Sequence, residues 1–286
     1  MAEIMMPDIT KQEFLLFRDF IEKHCGIHLG PDKAYLVQHR LARLAEGCGC
    51  SCYADLFDLA LKEKECGRLC GQIIDAITTN ETSWFRDPRQ FEALLGQLLL
   101  DTWKKGKDGR RNNLEIWSAA CSTGQEPYTI AMVATDFCET VVREKECRSK
   151  VRVLATDISE ASIQKAISGI YEEADMKRGL DEKRIDRYFF RDGTKWRIRE
   201  DLRQMVVFKR FNLKNDFKGL GTFDIVFLRN VIIYFSDGLK KEIFQRVAKR
   251  LHPGGLLFLG TGETVSAHSQ AFTVEECGDA TYYRLK

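Results

Sequence analysis

The chain has 286 residues, enough for about two domains at the usual size of roughly 100–200 residues and long enough to bury a core without covalent staples. Its 44% hydrophobic and 30% charged residues are an ordinary globular composition, which excludes a disordered or collagen-like chain. Lys and Arg number 44 against 42 Asp and Glu, a balance with no general attraction to nucleic acid, and no apolar run approaches the roughly 18–20 residues of a membrane span. Met1 to Thr10 lacks a basic segment followed by an apolar one, so no secretory signal is expected; the protein should be cytoplasmic, and its ten cysteines reduced thiols rather than a disulfide framework.

Residues 1–77 read as a helical domain. Glu13 to Ile21 carries apolar residues at helical spacing and ends near Gly26. A second helix runs from about Pro31 to Ala45, with Leu36, Val37, Leu41 and Leu44 on one face. Lys33, Arg40 and Arg43 also recur along it with no acidic residue between Lys33 and Arg43, a candidate docking stripe or simply a solvated face. Gly47 to Ser51 breaks the chain, and further helices are expected at 54–64 and 67–77.

From Leu114 short apolar strands alternate with helices. Leu114–Trp117, Val151–Ala155, Val206–Phe208, Phe223–Phe227 and Leu256–Leu259 are expected strands. Ser159 is an expected helix cap, a helix is expected from Ser236 to about Leu251, and Pro253-Gly254-Gly255 is expected to turn. Phe272–Val274 and Tyr282–Leu285 read as a closing hairpin. The alternation predicts an α/β fold over 78–286, a doubly wound mostly parallel sheet. Tyr188 to Ile198, with Asp192-Gly193 at a turn, reads as a hairpin in a small antiparallel β-insertion at about 186–211. Lys177 to Lys218 holds 14 Lys and Arg against 7 Asp and Glu, so this stretch is locally basic.

In such a sheet ligands bind beyond the C-terminal strand ends. After the first strand, Ser118 to Tyr128 is rich in small residues, and Glu126 would repel phosphate but suit a cationic ligand. Asp157, after the second strand, can accept hydrogen bonds from ribose hydroxyls or cap the next helix. Arg229 and Asn230 follow the strand at Phe223–Phe227, placed to face a cleft or the surface. Together these residues suit an adenosine-bearing ligand with a positive, non-phosphate end, which fits S-adenosylmethionine. Thr78 to Pro88 joins the two domains, either as a plain linker or across the cleft mouth, and Arg86 in it can grip a carboxylate.

Several motifs in order resemble the CheR family of chemotaxis receptor methyltransferases over nearly the whole chain. Thr79-Asn80-Glu81-Thr82-Ser83-Trp84-Phe85-Arg86 resembles the family's linker motif, with Trp84 where Phe is usual. Ser118 to Tyr128 resembles its cofactor loop, with Gln125 at a Glu position. Leu154 to Ser159, Phe227 to Phe235 and Gly26 to Leu44 resemble further family segments, and Leu251 to Gly255 resembles the L-x-P-G-G turn common to many methyltransferases. The resemblance implies a class I methyltransferase-like domain behind an all-helical receptor-docking domain. It implies that Asn80, Thr82 and Arg86 meet the methionine part of S-adenosylmethionine, Glu126 its amino group and Asp157 the ribose. Asn212 and Leu213 would border the adenine, and Arg229 and Asn230 would lie near the reactive end. Arg86 and Tyr234 would face the incoming glutamate as the catalytic pair, and Lys33, Arg40 and Arg43 would dock the receptor. The implied reaction forms glutamate methyl esters on the cytoplasmic helical domain of a chemotaxis receptor and releases S-adenosylhomocysteine. It needs no metal and no general base. The enzyme is expected to be a monomer, without nucleic-acid binding or membrane insertion. Family members that grip a receptor-tail tether have a longer loop than that at Gly193, so tether-independent action is expected.

The spacing of Cys48, Cys50, Cys52, Cys66 and Cys70 is not that of a zinc finger. No His lies near Cys121 in sequence to activate it as a nucleophile. The rival readings are a nucleic-acid methyltransferase using the basic stretch, which lacks evenly spaced aromatics for base stacking, and a non-catalytic signalling module.

Overall fold

The computed structural model describes residues 6–63, 67–108, 113–144 and 146–286. The N-terminal domain packs α1 (Lys11–Cys25), α2 (Ala34–Gly47), α3 (Tyr53–Lys62) and α4 (Arg68–Ile77) around Phe17, Ile21, Val37, Leu41, Leu56 and Ile73, all fully buried. Thr10 starts α1 through a reciprocal cap in which its hydroxyl accepts from Glu13 N and the Glu13 carboxylate accepts from Thr10 N. Glu13 also accepts from Ala54 N at 2.9 Å, tying α1 to the start of α3. Gly26 ends α1 at φ +78, and a Cβ there would meet Leu239 of the second domain at 2.5 Å. The expected helix at 54–64 is α3, shifted by one residue at its start; Lys64 and Cys66 lie outside the described residues.

The second domain opens with α5 (Pro88–Ala93), a π-helical turn at Leu94–Leu98 and α6 (Leu99–Asp108). Then follow β1 (Leu114–Ala119), α7 (Gln125–Phe137), β2 (Val151–Asp157), α8 (Glu160–Ser168), β3 (Ile170–Tyr171), α9 (Glu173–Met176) and α10 (Glu182–Tyr188). β4 (Phe189–Asp192), β5 (Lys195–Ile198), α11 (Glu200–Arg203), β6 (Val206–Arg210), β7 (Phe223–Leu228), α12 (Asp237–Ala248), β8 (Leu251–Leu259), β9 (Phe272–Cys277) and β10 (Ala280–Leu285) complete it.

The seven-stranded sheet has the order β6-β2-β1-β7-β8-β10-β9, parallel through its first five strands. Alternation along β1 sends Ile116 into the core on one face and Trp117 into the core on the other. The chain leaves β1 toward β2 and β6 and later returns to β7 on its other side. The order therefore reverses between β1 and β7, and a crevice opens at their C-terminal ends.

Three expectations are corrected. Pro253-Gly254-Gly255 does not precede its strand: β8 starts at Leu251 and bulges there, so that Phe223 pairs with Leu251 and Ile225 with Leu256. The small sheet has three strands, β3-β5-β4, because Ile170–Tyr171 pairs with β5; it thus begins before 186, while Val206–Arg210 belongs to the main sheet beside β2. Cys138 and Cys147 form a disulfide, because a π-helical turn at Cys138–Val142 and a left-handed Arg143 fold the chain back and bring their Cα atoms to 5.5 Å.

Candidate active site

The crevice is a cleft of about 950 Å³ out to its open mouth. The ten residues singled out for cofactor or acceptor all line it: Asn80, Thr82, Arg86, Glu126, Asp157, Asn212, Leu213, Arg229, Asn230 and Tyr234. They come from the ends of β2, β6 and β7, the first turn of α7, the interdomain linker and the turn before α12. Cys25 and Ile27 of the helical domain add a further wall. Five non-glycine residues in or beside the cleft adopt positive φ: Phe85, Asp87, Ala120, Ser122 and Asn230. Such conformations cost roughly 1–3 kcal/mol each and persist only where surrounding structure imposes them.

Asp157 is buried at the end of β2. Its two oxygens accept from Ser122 N at 2.8 Å and Ser159 N at 2.9 Å, which bends the β1 loop over the carboxylate. Burial holds its pKa above the usual aspartate value even though these amides pull it down. A carboxylate has about four acceptor positions, so lone pairs remain for two hydroxyl donors. Gly124, at φ +94, closes the same loop against Ala166, where a Cβ would come within 2.9 Å.

Glu126 opens α7 and accepts from the Ser118 hydroxyl at 2.7 Å and from Arg229 at 2.9 Å. The Arg229 side chain is almost completely buried. It also pairs with Asp87 at 2.7 Å and donates to the Arg86 carbonyl at 2.6 Å. Arg229 lines the cleft, and its guanidinium binds two carboxylates and the backbone of the linker. Asp87 escaped the sequence reading because its partner Arg229 lies 142 residues away.

The linker is pinned by Trp84, which is buried, packs edge-on against Tyr171 and Phe189 and donates its amide to the Arg178 carbonyl. The departure from Phe therefore sits in the core and not in the cleft. Beyond it, Arg86 donates to the Glu81 carbonyl at 3.2 Å and has no carboxylate partner among the described residues. Arg86 and Tyr234 line the same cleft.

Asn212 lines the cleft beside Leu213, but its amide donates to the His24 carbonyl at 2.7 Å, so it also ties the α/β domain to the end of α1. Lys214 adds a bond to the Glu22 carbonyl at 3.1 Å, a cation at a helix C-terminus. Lys33, in the turn before α2, and Arg40 and Arg43 of α2 do not form one free stripe. Arg40 donates to the Ile77 and Thr78 carbonyls, the latter at 2.8 Å, and to the Thr79 hydroxyl at 3.0 Å; Lys33 pairs with Asp32; Arg43 is exposed.

The basic stretch is largely neutralised by local pairs such as Arg187–Glu139, Arg191–Glu173 and Lys195–Glu172. Cys121 is fully buried, and burial pushes its thiol well above the ordinary value, which is poor for a nucleophile. No group of three or more His, Cys, Asp or Glu among the described residues is arranged to hold a metal ion.

The donor set fits S-adenosylmethionine: acceptors for a ribose at Asp157, anionic Glu126 for an amine, Phe211 and Leu213 as apolar walls, and a loop of small residues. Residues 12–78 match the CheR methyltransferase all-alpha domain, and residues 80–281 match the CheR methyltransferase SAM-binding domain. The chain is 40% identical over 275 residues to chemotaxis protein methyltransferase 1 of Pseudomonas aeruginosa, covering 96% of this chain and 98% of that protein. It is 38% identical to chemotaxis protein methyltransferase Cher2 of Pseudomonas putida, with the same coverage. Identity to the chemotaxis protein methyltransferase of Escherichia coli is 33%, covering 93% of this chain and 89% of that one. The chain therefore belongs to the CheR family of chemotaxis methyltransferases, and its second domain is the one that binds S-adenosylmethionine.

Proposed function

We propose that this protein methylates glutamate side chains on the cytoplasmic signalling helices of a chemotaxis receptor, forming methyl esters. One observation carries the reading: Arg86, without a carboxylate partner among the described residues, faces the same cleft as Tyr234, Asp157 and Glu126. S-adenosylmethionine supplies an electrophilic sulfonium methyl group. Asp157 accepts the ribose hydroxyls, Glu126 attracts the amino group, and Asn80, Thr82 and Arg86 meet the methionine part. Asn212 and Leu213 border the adenine. Arg229 acts by fixing Glu126, Asp87 and the linker together, and Asn230 lies beside it toward the reactive end.

A glutamate carboxylate, with an ordinary pKa near 4.3, is ionised at pH 7 and needs no base. What the chain contributes is alignment, where well-oriented reactants gain about 7–11 kcal/mol, and exclusion of water from the carboxylate. Arg86 orients the acceptor through directed hydrogen bonds, with Tyr234 in the same cleft. Lys33 and Arg43 meet the acidic receptor helix, while Arg40 acts on the linker. The two-residue loop Gly193–Thr194 is short, which favours action on the receptor without a tether, by a monomer.

The test is transfer of labelled methyl from S-adenosylmethionine to a receptor signalling fragment. The expected product is a label released as methanol by mild alkali. Arg86→Ala should retain a few per cent of turnover at most, on the order of the 2–4 kcal/mol carried by a directed charge-stabilising donor. An alkali-stable label, or near-normal turnover by Arg86→Ala, would overturn the reading.

A further inference from the structure

Glu263 follows β8, and the sequence reading did not single it out. Its carboxylate accepts four backbone N–H groups: Oε2 from Asn230 at 2.7 Å and Gly260 at 2.8 Å, Oε1 from Val231 at 3.0 Å and Ile232 at 3.1 Å. All four acceptor positions of the carboxylate are thereby filled by main chain. The segment it grips leaves β7, holds Asn230 at φ +55 and enters the single helical turn Ile232–Tyr234. Gly260 lies directly against Asn230, and any side chain at 260 would run into it. Glu263 itself does not line the cleft; Asn230, Val231 and Tyr234 do.

We propose that Glu263 is a positioning residue for the acceptor side of the cleft, an inference that rests on the reading of that side given above. One side chain supplies the template on which the 230–234 turn is wound, and so sets where Asn230 and Tyr234 stand. The ribose contact at Asp157 lies at the end of β2 and does not depend on it, and Glu126, at the start of α7, is held by the Ser118 hydroxyl as well as by Arg229. Glu263→Gln keeps the shape but presents an NH2 group to two N–H donors, and Glu263→Asp shortens the reach to all four.

Hydrogen exchange on each ligand-free variant, read by mass spectrometry, should show protection lost at residues 229–235 and 259–264 and retained in β1 and β2. Affinity for S-adenosylhomocysteine should stay within about twofold of wild type, while kcat for methyl transfer falls by about tenfold or more. Unchanged protection overturns the assignment, and so does unchanged kcat. A kcat loss matched by an equal loss of S-adenosylhomocysteine affinity also overturns it, since that marks general scaffolding. If wild type itself labels no receptor glutamate, the acceptor reading fails, and the exchange and affinity measurements still decide the role of Glu263.

Discussion

Asp157 joins a pKa raised by burial to an expected role that needs the charged form. Folded protein holds this proton more tightly than unfolded chain, so the group's desolvation cost is fully present above its raised pKa and is relieved as pH falls through that raised value toward the ordinary one. Ligand affinity runs the other way, because a protonated carboxyl accepts ribose hydroxyls poorly. Affinity for S-adenosylhomocysteine should therefore begin to fall, as pH is lowered, at a pH above the ordinary aspartate value near 3.9. Calorimetric titration across pH measures this, with Asp157→Asn as control. That variant should lose about 10–100-fold in affinity at pH 7, the worth of charge-assisted hydrogen bonds of about 1.5–3 kcal/mol. An affinity that stays flat down to pH 4 would remove Asp157 from the ribose site.

At the scale of elements, Trp84 fixes where the linker from Thr78 to Pro88 lies. Its indole fills the space between Tyr171 and Phe189, while its buried N–H has no partner among the described residues. Truncation to Ala should destabilise the fold by about 3–5 kcal/mol, as for other large aromatics. It should also lower activity beyond the loss of folded protein, since Arg86 lies two residues on. Trp84→Phe gives up some packing but relieves an unsatisfied donor worth about 1–3 kcal/mol, so its net change should be about 1 kcal/mol or less. Urea denaturation of the three proteins separates these outcomes. A large destabilisation by Phe would mean that the indole N–H is satisfied in solution.

For the molecule as a whole, the helical domain is part of the cleft and not a separate handle. Asn212 and Lys214 hold the end of α1, and Arg40 holds the end of α4 and the first residues of the linker. Arg40→Ala should weaken S-adenosylhomocysteine binding several-fold with no receptor present, which a pure docking residue would not do. Arg43→Glu should leave that affinity unchanged and weaken receptor binding, with a smaller effect at high salt because exposed pairs are worth only about 0–1 kcal/mol and are screened. If Arg40→Ala binds the ligand normally and affects only receptor affinity, the coupling is absent and Arg40 returns to the docking face.

Periodicity and caps made most elements legible from the sequence alone: Glu13 to Ile21 as a helix stopped by Gly26, Ser159 as a cap, a helix beginning near Ser236, and the parallel strands as short apolar runs. These are local signals, set by neighbours within a few residues. Part of the cleft lining was legible as well, because a doubly wound sheet sends Glu126, Asp157, Arg229 and Asn230, which follow its strands, to one edge, while the site roles of Asn80, Thr82, Asn212, Leu213 and Tyr234 came only from the family resemblance. What the side chains there bind was decided by contacts distant in sequence. Arg229 meets Asp87 across 142 residues, Arg40 meets Thr78 across 38, Asn212 meets His24 across 188, and Glu263 meets Asn230 across 33. The third strand of the small sheet, the bulge in β8 and the joining of Cys138 to Cys147 likewise depend on how the chain turns back on itself. A charged side chain takes the partners that folding brings within hydrogen-bond reach, and only the tertiary structure selects them.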